Sequence, residues 1–134
     1  MIKVVLDTNV LISATFWRCP SNEITILVAK QKITCFTSTE IVDEYAKILK
    51  RDFKQSESQI EEKVEGILLF SQIVSPTTKI TAVKDDPEDN KILEASIDAN
   101  ADFIVSGDKH LLKLKEFKGT KILTAREFLE VVRK

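Results

Sequence analysis

The sequence predicts a three-layer α/β/α domain around a central, mainly parallel sheet of four to five strands. Short apolar runs rich in β-branched residues recur along the chain, at Ile2–Leu6, Ile33–Phe36, Phe103–Val105 and Lys121–Leu123. The runs are short and mostly continuous rather than alternating, the pattern of strands buried on both faces. Stretches with helical spacing of apolar residues separate them, as crossovers between parallel strands require.

Taken in order, Ile2–Leu6 is stopped by Asp7 and reads as a buried central strand. Val10–Phe16 can continue as a helix; Pro20 interrupts it, and Ser21-Asn22-Glu23 looks like the cap of a second helix running to about Lys30. After the strand Ile33–Phe36, Thr37 with Glu40 three residues on can form a capping box. It opens a helix to about Arg51 whose apolar stripe is Ile41, Tyr45, Ile48 and Leu49. Ser56 or Ser58 starts the next helix, with Ile60, Val64, Ile67 and Leu68 at helical spacing to about Gln72. Val74–Val83, broken by Pro76, reads as loop or short extended chain. Asp86-Pro87-Glu88-Asp89 is a helix start with Pro at the first helical position, and Ile92, Leu93, Ala95, Ser96 and Ala99 can face inward. Phe103–Val105 is a strand, Gly107-Asp108 turns it into a short helix at Leu111–Leu114, and Lys121–Leu123 is the last strand. Thr124–Arg133 closes the chain as a helix with Phe128, Leu129 and Val132 inward.

At 134 residues, 43% hydrophobic and 31% charged, the chain fits one domain, residues 1–134, able to bury a core without disulfides or a structural metal. A net charge of −1 gives no general attraction for nucleic acid, so any such binding falls to a local basic patch. Two clusters offer one: Lys47, Lys50, Arg51 and Lys54, and then Lys109, Lys113, Lys115, Lys118 and Lys121, although charge runs are commonly solvated helix faces. Cys19 and Cys35 lack metal-ligand spacing with His110, the sole histidine, and suit a reducing cytoplasm. Neither a signal peptide nor a run long enough to span a bilayer is present, so the expectation is a soluble cytoplasmic protein with no membrane partner.

In parallel α/β sheets ligands bind at the carboxyl ends of the strands. Asp7 ends the first strand, and Asp108 follows Phe103–Val105 after Ser106-Gly107. Asp89 falls in the first turn of its helix, and Glu44 lies at the margin of an apolar stripe. Each has a plain structural role open to it. Asp7 and Asp108 can cap the helices they precede, Asp86 can cap the helix begun by Pro87, Asp89 can complete a capping box, and Glu44 can flank an amphipathic helix. Together, four carboxylates at one sheet edge would repel one another strongly without a cation among them. An all-oxygen set without His or Cys favours Mg²⁺ or Mn²⁺ over zinc. Such an ion activates water and stabilises the leaving oxygen of a phosphodiester. No Gly-rich phosphate loop, dinucleotide fingerprint or nucleophile triad competes.

In "VVLDTNVLISA", "FTSTEIVDEYAKIL", "DDPEDNKILEASIDANADFIVSGD" and "KILTAREFL", in that order, the chain resembles the PIN-domain nucleases, in particular the VapC-like toxins of toxin-antitoxin pairs. The resemblance implies a PIN fold and a metal-dependent endoribonuclease using Mg²⁺ or Mn²⁺, with Asp7, Glu44, Asp89 and Asp108 as catalytic metal ligands. Asn9 and Ser106 match polar residues that orient carboxylates or water by hydrogen bonds, and Asp86 matches an acid common in the "DPEDN" subgroup. Many relatives carry a further acid just after the last one, where this chain has Lys109-His110-Leu111. The implied partners are RNA, a small antitoxin protein and a second copy in a homodimer, with Phe16, Trp17 and the Ile60–Phe70 helix as candidate partner surfaces. Two alternatives remain open. One is a PIN module that binds RNA or a partner without cutting, or a comparable response-regulator-like acidic pocket. The other is a haloacid-dehalogenase-like phosphatase, which would want Asp where Asn9 stands.

Overall fold

The structure, a computed structural model, describes residues 1–75 and 90–133. The opening apolar run forms strand β1 (Ile2–Leu6), whose last three residues are fully buried. Parallel neighbours flank it on both sides, β2 (Ile33–Ser38) and β4 (Phe103–Val105). β3 (Ser71–Val74) extends the sheet beyond β2, and β6 (Thr120–Leu123) with β5 (Glu116–Phe117) extends it beyond β4, giving the order β3-β2-β1-β4-β6-β5. Every pairing is parallel except β5 with β6.

The sheet has six strands where the sequence suggests four to five, and both additions are short edge strands. The helix expected to reach Gln72 instead ends at Phe70, and Ser71–Val74 pairs with Cys35–Ser38. An edge strand of four residues that are half-buried or exposed carries no buried pattern to announce it; its partner β2 decides its conformation. β5 is the far arm of a two-residue hairpin, where Lys118 (φ 49°) and Gly119 (φ 89°) both take the left-handed backbone that such turns need. Glycine meets that demand at the second position without strain.

Between the strands run α1 (Thr8–Phe16), α2 (Pro20–Ala29), α3 (Thr39–Phe53), α4 (Glu57–Phe70), α5 (Asn90–Ala99) and α6 (Lys109–Leu114), and α7 (Ala125–Val132) follows β6. α2 starts at Pro20 rather than being capped by Ser21-Asn22-Glu23, because a first-turn N–H has no helical acceptor and proline loses nothing by lacking it. α3 is capped by Ser38, whose hydroxyl accepts the Ile41 N–H at 3.3 Å, in place of the expected Thr37–Glu40 box. Ser56 with Gln59 and Thr124 with Glu127 form complete capping boxes. The α3 stripe buries Ile41, Tyr45 and Leu49 on one line, and α5 buries Ile92, Leu93, Ala95, Ser96 and Ala99 as its spacing predicts. The expected helix start at Asp86–Asp89 and most of the Val74–Val83 segment lie outside the described residues.

Helices α1–α4 pack on one another, α7 packs on α2, and α5 packs on the strands of the sheet, in the three-layer arrangement expected from the sequence. From β1 the chain moves outward through β2 and β3 and then returns to β4 on the opposite side of β1. That reversal opens a crevice between the carboxyl ends of β1 and β4, where doubly wound sheets bind their ligands. Asp7 and Asp108 come from those two ends.

Candidate functional site

The register of β1 on β4 pairs Leu6 with Val105, so Asp7 and Ser106 leave the sheet side by side. The Asp7 N–H donates to the Val105 carbonyl at 3.0 Å, which extends the ladder by one bond. Asp7 is buried, 3% exposed, and caps α1. Its Oδ1 accepts the N–H of Asn9 at 2.7 Å and of Val10 at 3.3 Å, while its Oδ2 accepts a short hydrogen bond from the Ser106 hydroxyl. Ser106 Oγ in turn accepts the Asp108 N–H at 2.9 Å, and Asp108 caps α6 by accepting the His110 N–H at 2.7 Å. Both acids therefore serve as helix caps, and one buried serine ties them together.

Burial pushes the Asp7 carboxyl up from its ordinary value, against the pull of the Ser106, Asn9 and Val10 donors, and the nearby Asp108 carboxylate pushes it up further. A carboxylate held out of water next to a second acid is short of positive charge. Two buried hydroxyls, Thr8 Oγ1 in the residue after Asp7 and Thr37 Oγ1 near the end of β2, have no hydrogen-bond partner among the described residues. Both belong to residues at the carboxyl edge of the sheet.

Glu44 lies on α3, half-buried, and forms an ion pair at 2.7 Å with Lys91 of α5, whose side chain is 15% exposed. A pair spanning 47 residues is invisible to spacing arguments. Asp86 and Asp89 lie outside the described residues. Among the described residues, no three of His, Cys, Asp and Glu gather closely enough to hold a metal ion. The fold thus brings Asp7 and Asp108 together and gives Glu44 a cationic partner of its own. Asn9 supports Asp7 through its backbone, while the residue itself is exposed. Glu94 was not singled out by the sequence, yet it is 8% exposed on α5 among the inward residues of that helix. Its one signal was its place between Leu93 and Ala95 in an apolar stripe.

Charge on the surface is divided. α4 carries Glu57, Glu61, Glu62 and Glu65 against Lys63. On the opposite edge of the sheet, Lys109, Lys113, Lys115, Lys118 and Lys121 are exposed along α6, β5 and β6 with Glu116 as the single acid among them, and none of the five forms an ion pair among the described residues. The cluster at Lys47, Lys50, Arg51 and Lys54 belongs to the carboxyl half and cap of α3, where the helix dipole favours cations. Lys109 opens α6 next to Asp108, where the dipole disfavours it. Cys35 is buried, with its thiol pushed up to about 12 by burial.

Residues 3–110 match the PIN domain family. An uncharacterised protein of Methanocaldococcus jannaschii is 31% identical over 144 aligned residues, covering 96% of this chain and 90% of that protein. Among solved structures, VapBC2 from Rickettsia felis, bound to a DNA fragment from its promoter, contains a similar fold, with a TM-score of 0.64 and 18% identity over 90% of this chain and 97% of that one. A protein of Pyrobaculum aerophilum is similar with a TM-score of 0.64 and 10% identity, over 98% of this chain and 90% of that one.

Proposed function

The chain belongs to the PIN-domain family, and from that premise we propose that it is a metal-dependent endoribonuclease that hydrolyses RNA phosphodiester bonds, the toxin of a toxin-antitoxin pair. The observation that carries this proposal is the pair of acids from adjacent strand ends, Asp7 and Asp108, joined through the Ser106 hydroxyl at the switch point of the sheet. A buried carboxylate, a neighbouring acid and an all-oxygen donor set are the chemistry of a site for Mg²⁺ or Mn²⁺. Asp7, Asp108, Glu44 and Asp89 would hold the ion, which would supply an activated water and charge stabilisation for the leaving oxygen.

The remaining work falls to the chain itself. The Asn9, Val10 and Ser106 donors fix both oxygens of Asp7, so its carboxylate meets a cation already oriented. Ser106 couples the position of Asp108 to that of Asp7 through one atom. Glu44 would have to exchange its Lys91 partner for the ion. RNA phosphates would be met by the lysines of α6, β5 and β6, which flank Asp108, rather than by the acidic face of α4. A small antitoxin, by analogy with the VapBC2 assembly, is one proposed protein partner, and a second copy of the chain is the other. No described helix is long and apolar enough to cross a membrane. The test is incubation of labelled RNA with purified protein in Mn²⁺ or in EDTA, repeated with Asp7→Asn. Binding without cleavage would favour the non-cutting PIN module instead.

A further inference from the structure

In the sheet β1 lies between β2 and β4, and the helix that follows β2 is tied to the helix that precedes β4 by an ion pair. Glu44 sits in the second turn of α3, which starts from the Ser38 cap at the carboxyl end of β2. α5 ends shortly before Asp102, whose N–H donates to the Lys3 carbonyl at the amino end of β1 at 2.9 Å. Its first turn, with Lys91, therefore lies toward the carboxyl end of the sheet. There the Lys91 ammonium donates to Glu44 Oε2 at 2.7 Å, on the edge from which Asp7 and Asp108 also come. This pair is unlike the pairs at the surface. Arg51 with Asp52 and Arg133 with Glu23 are about half exposed or more on both sides, whereas the Lys91 and Glu44 side chains are 15% and 25% exposed.

Stability alone does not call for such a pair, since well-packed apolar side chains of similar volume tie two helices as well or better. An ammonium with a covered stem and its head at the ligand edge is a charge held in reserve. In the nuclease reading, on which this inference rests, Glu44 gives its carboxylate to a divalent ion. Lys91 then loses that partner while its side chain stays largely out of water, and it stands near a second positive charge that repels it. An anion shared by the two cations relieves both strains, and a lysine ammonium is a ready point-charge ligand for phosphate. We propose that Lys91 is a metal-gated phosphate contact: Glu44 holds it in the ion-free protein, and it turns to a non-bridging oxygen of the RNA phosphodiester when Glu44 serves the ion. By linkage, ion and strand then favour one another's binding through this side chain. The exposed lysines of α6, β5 and β6 carry no such gate, because none of them pairs with an acid among the described residues.

The test compares the parent protein with Lys91→Met and Lys91→Arg, using inorganic phosphate as the probe in EDTA and in Mg²⁺. Carbon NMR of labelled lysine side chains follows the Lys91 Cε signal, identified by its absence from Lys91→Arg. Phosphate is expected to leave that signal in place in EDTA and to shift it in Mg²⁺. In Mg²⁺ the Lys91→Met variant should bind phosphate about tenfold more weakly than the parent, having lost a charged donor, while Lys91→Arg keeps most of the affinity; in EDTA parent and Lys91→Met should bind alike. With RNA in saturating Mn²⁺, KM of Lys91→Met should rise by about the same factor with kcat held. An unmoved Lys91 signal in Mg²⁺, or the same shift in EDTA, overturns the gated contact, and the parent's own signal decides this even where Lys91→Met fails to fold. Asp7-dependent cleavage with unchanged KM in folded Lys91→Met overturns the contact and leaves the nuclease standing. A Mg²⁺-dependent phosphate shift at Lys91 without any cleavage of RNA does the reverse.

Discussion

Ser106→Ala deletes one atom that makes two hydrogen bonds, one to the buried carboxylate of Asp7 and one from the Asp108 N–H. Losing a bond to a charged acceptor costs about 1.5–3 kcal/mol, and the orphaned N–H adds about 1 kcal/mol, so the variant should be destabilised by about 3 kcal/mol at neutral pH. For a domain of this size that lowers the melting temperature by about 10 °C. The loss should also depend on pH in a definite sense. The folded-state pKa of Asp7 lies above its ordinary 3.8, chiefly through burial. Between those two values the folded chain holds a proton that the unfolded chain has released, so the Asp7 contribution to stability falls as pH rises through that window and is level above it. The Ser106 hydroxyl opposes this fall by donating to the ionised form, and its removal extends it. Melting curves of parent and variant in EDTA should therefore lie closest while Asp7 is protonated and diverge as pH rises through the window in which it ionises. A difference under about 2 °C at neutral pH, or one as large in acid as in base, refutes the role given to Ser106.

Lys91→Met leaves Glu44 half-buried without its cation; in EDTA it should destabilise the fold by about 1–2 kcal/mol, while tightening Mn²⁺ binding by removing a competing charge. Calorimetry would check both, and weaker Mn²⁺ binding would mean that Lys91 holds Glu44 in place rather than competing for it. Reversing Lys113 and Lys118 to Glu should weaken RNA binding and flatten its dependence on log salt by about 1.4, whereas Lys47→Glu/Lys50→Glu on α3 should leave the slope nearly unchanged. Equal effects from the two pairs would count against the α6–β6 edge as the RNA path. Cys35, whose thiol is pushed up to about 12 by burial, should resist a thiol reagent in the folded protein and react once the chain is unfolded, while Cys19 reacts first. Mass spectrometry of the labelled peptides reads the order.

What the sequence makes legible is whatever its own periodicity encodes. β1 declares itself because Val4, Val5 and Leu6 are buried on both faces of a central strand, and Asp7 stands out as the charge that ends it. α3 and α5 follow from stripes that the core in fact buries. β3 has no such pattern, since Ser71–Val74 is ordered by its ladder with β2 rather than by its own side chains. The helix starts at Pro20 and Thr39 shift by a residue or two from expectation because several neighbouring residues could cap and only the tertiary path selects one. The link from Asp7 through Ser106 to Asp108 follows once two strand ends are known to be adjacent. The pairing of Lys91 with Glu44 depends on residues far apart in the chain and appears only when the helices are docked.

The central claim is metal-dependent hydrolysis of RNA at the site built on Asp7. Labelled RNA should be cut by the parent protein in Mn²⁺, left intact in EDTA and left intact in Mn²⁺ by Asp7→Asn. That substitution keeps a side-chain oxygen to cap α1 and removes the charge. Cleavage that persists in EDTA, or in the folded Asp7→Asn variant at the parent rate, would contradict it.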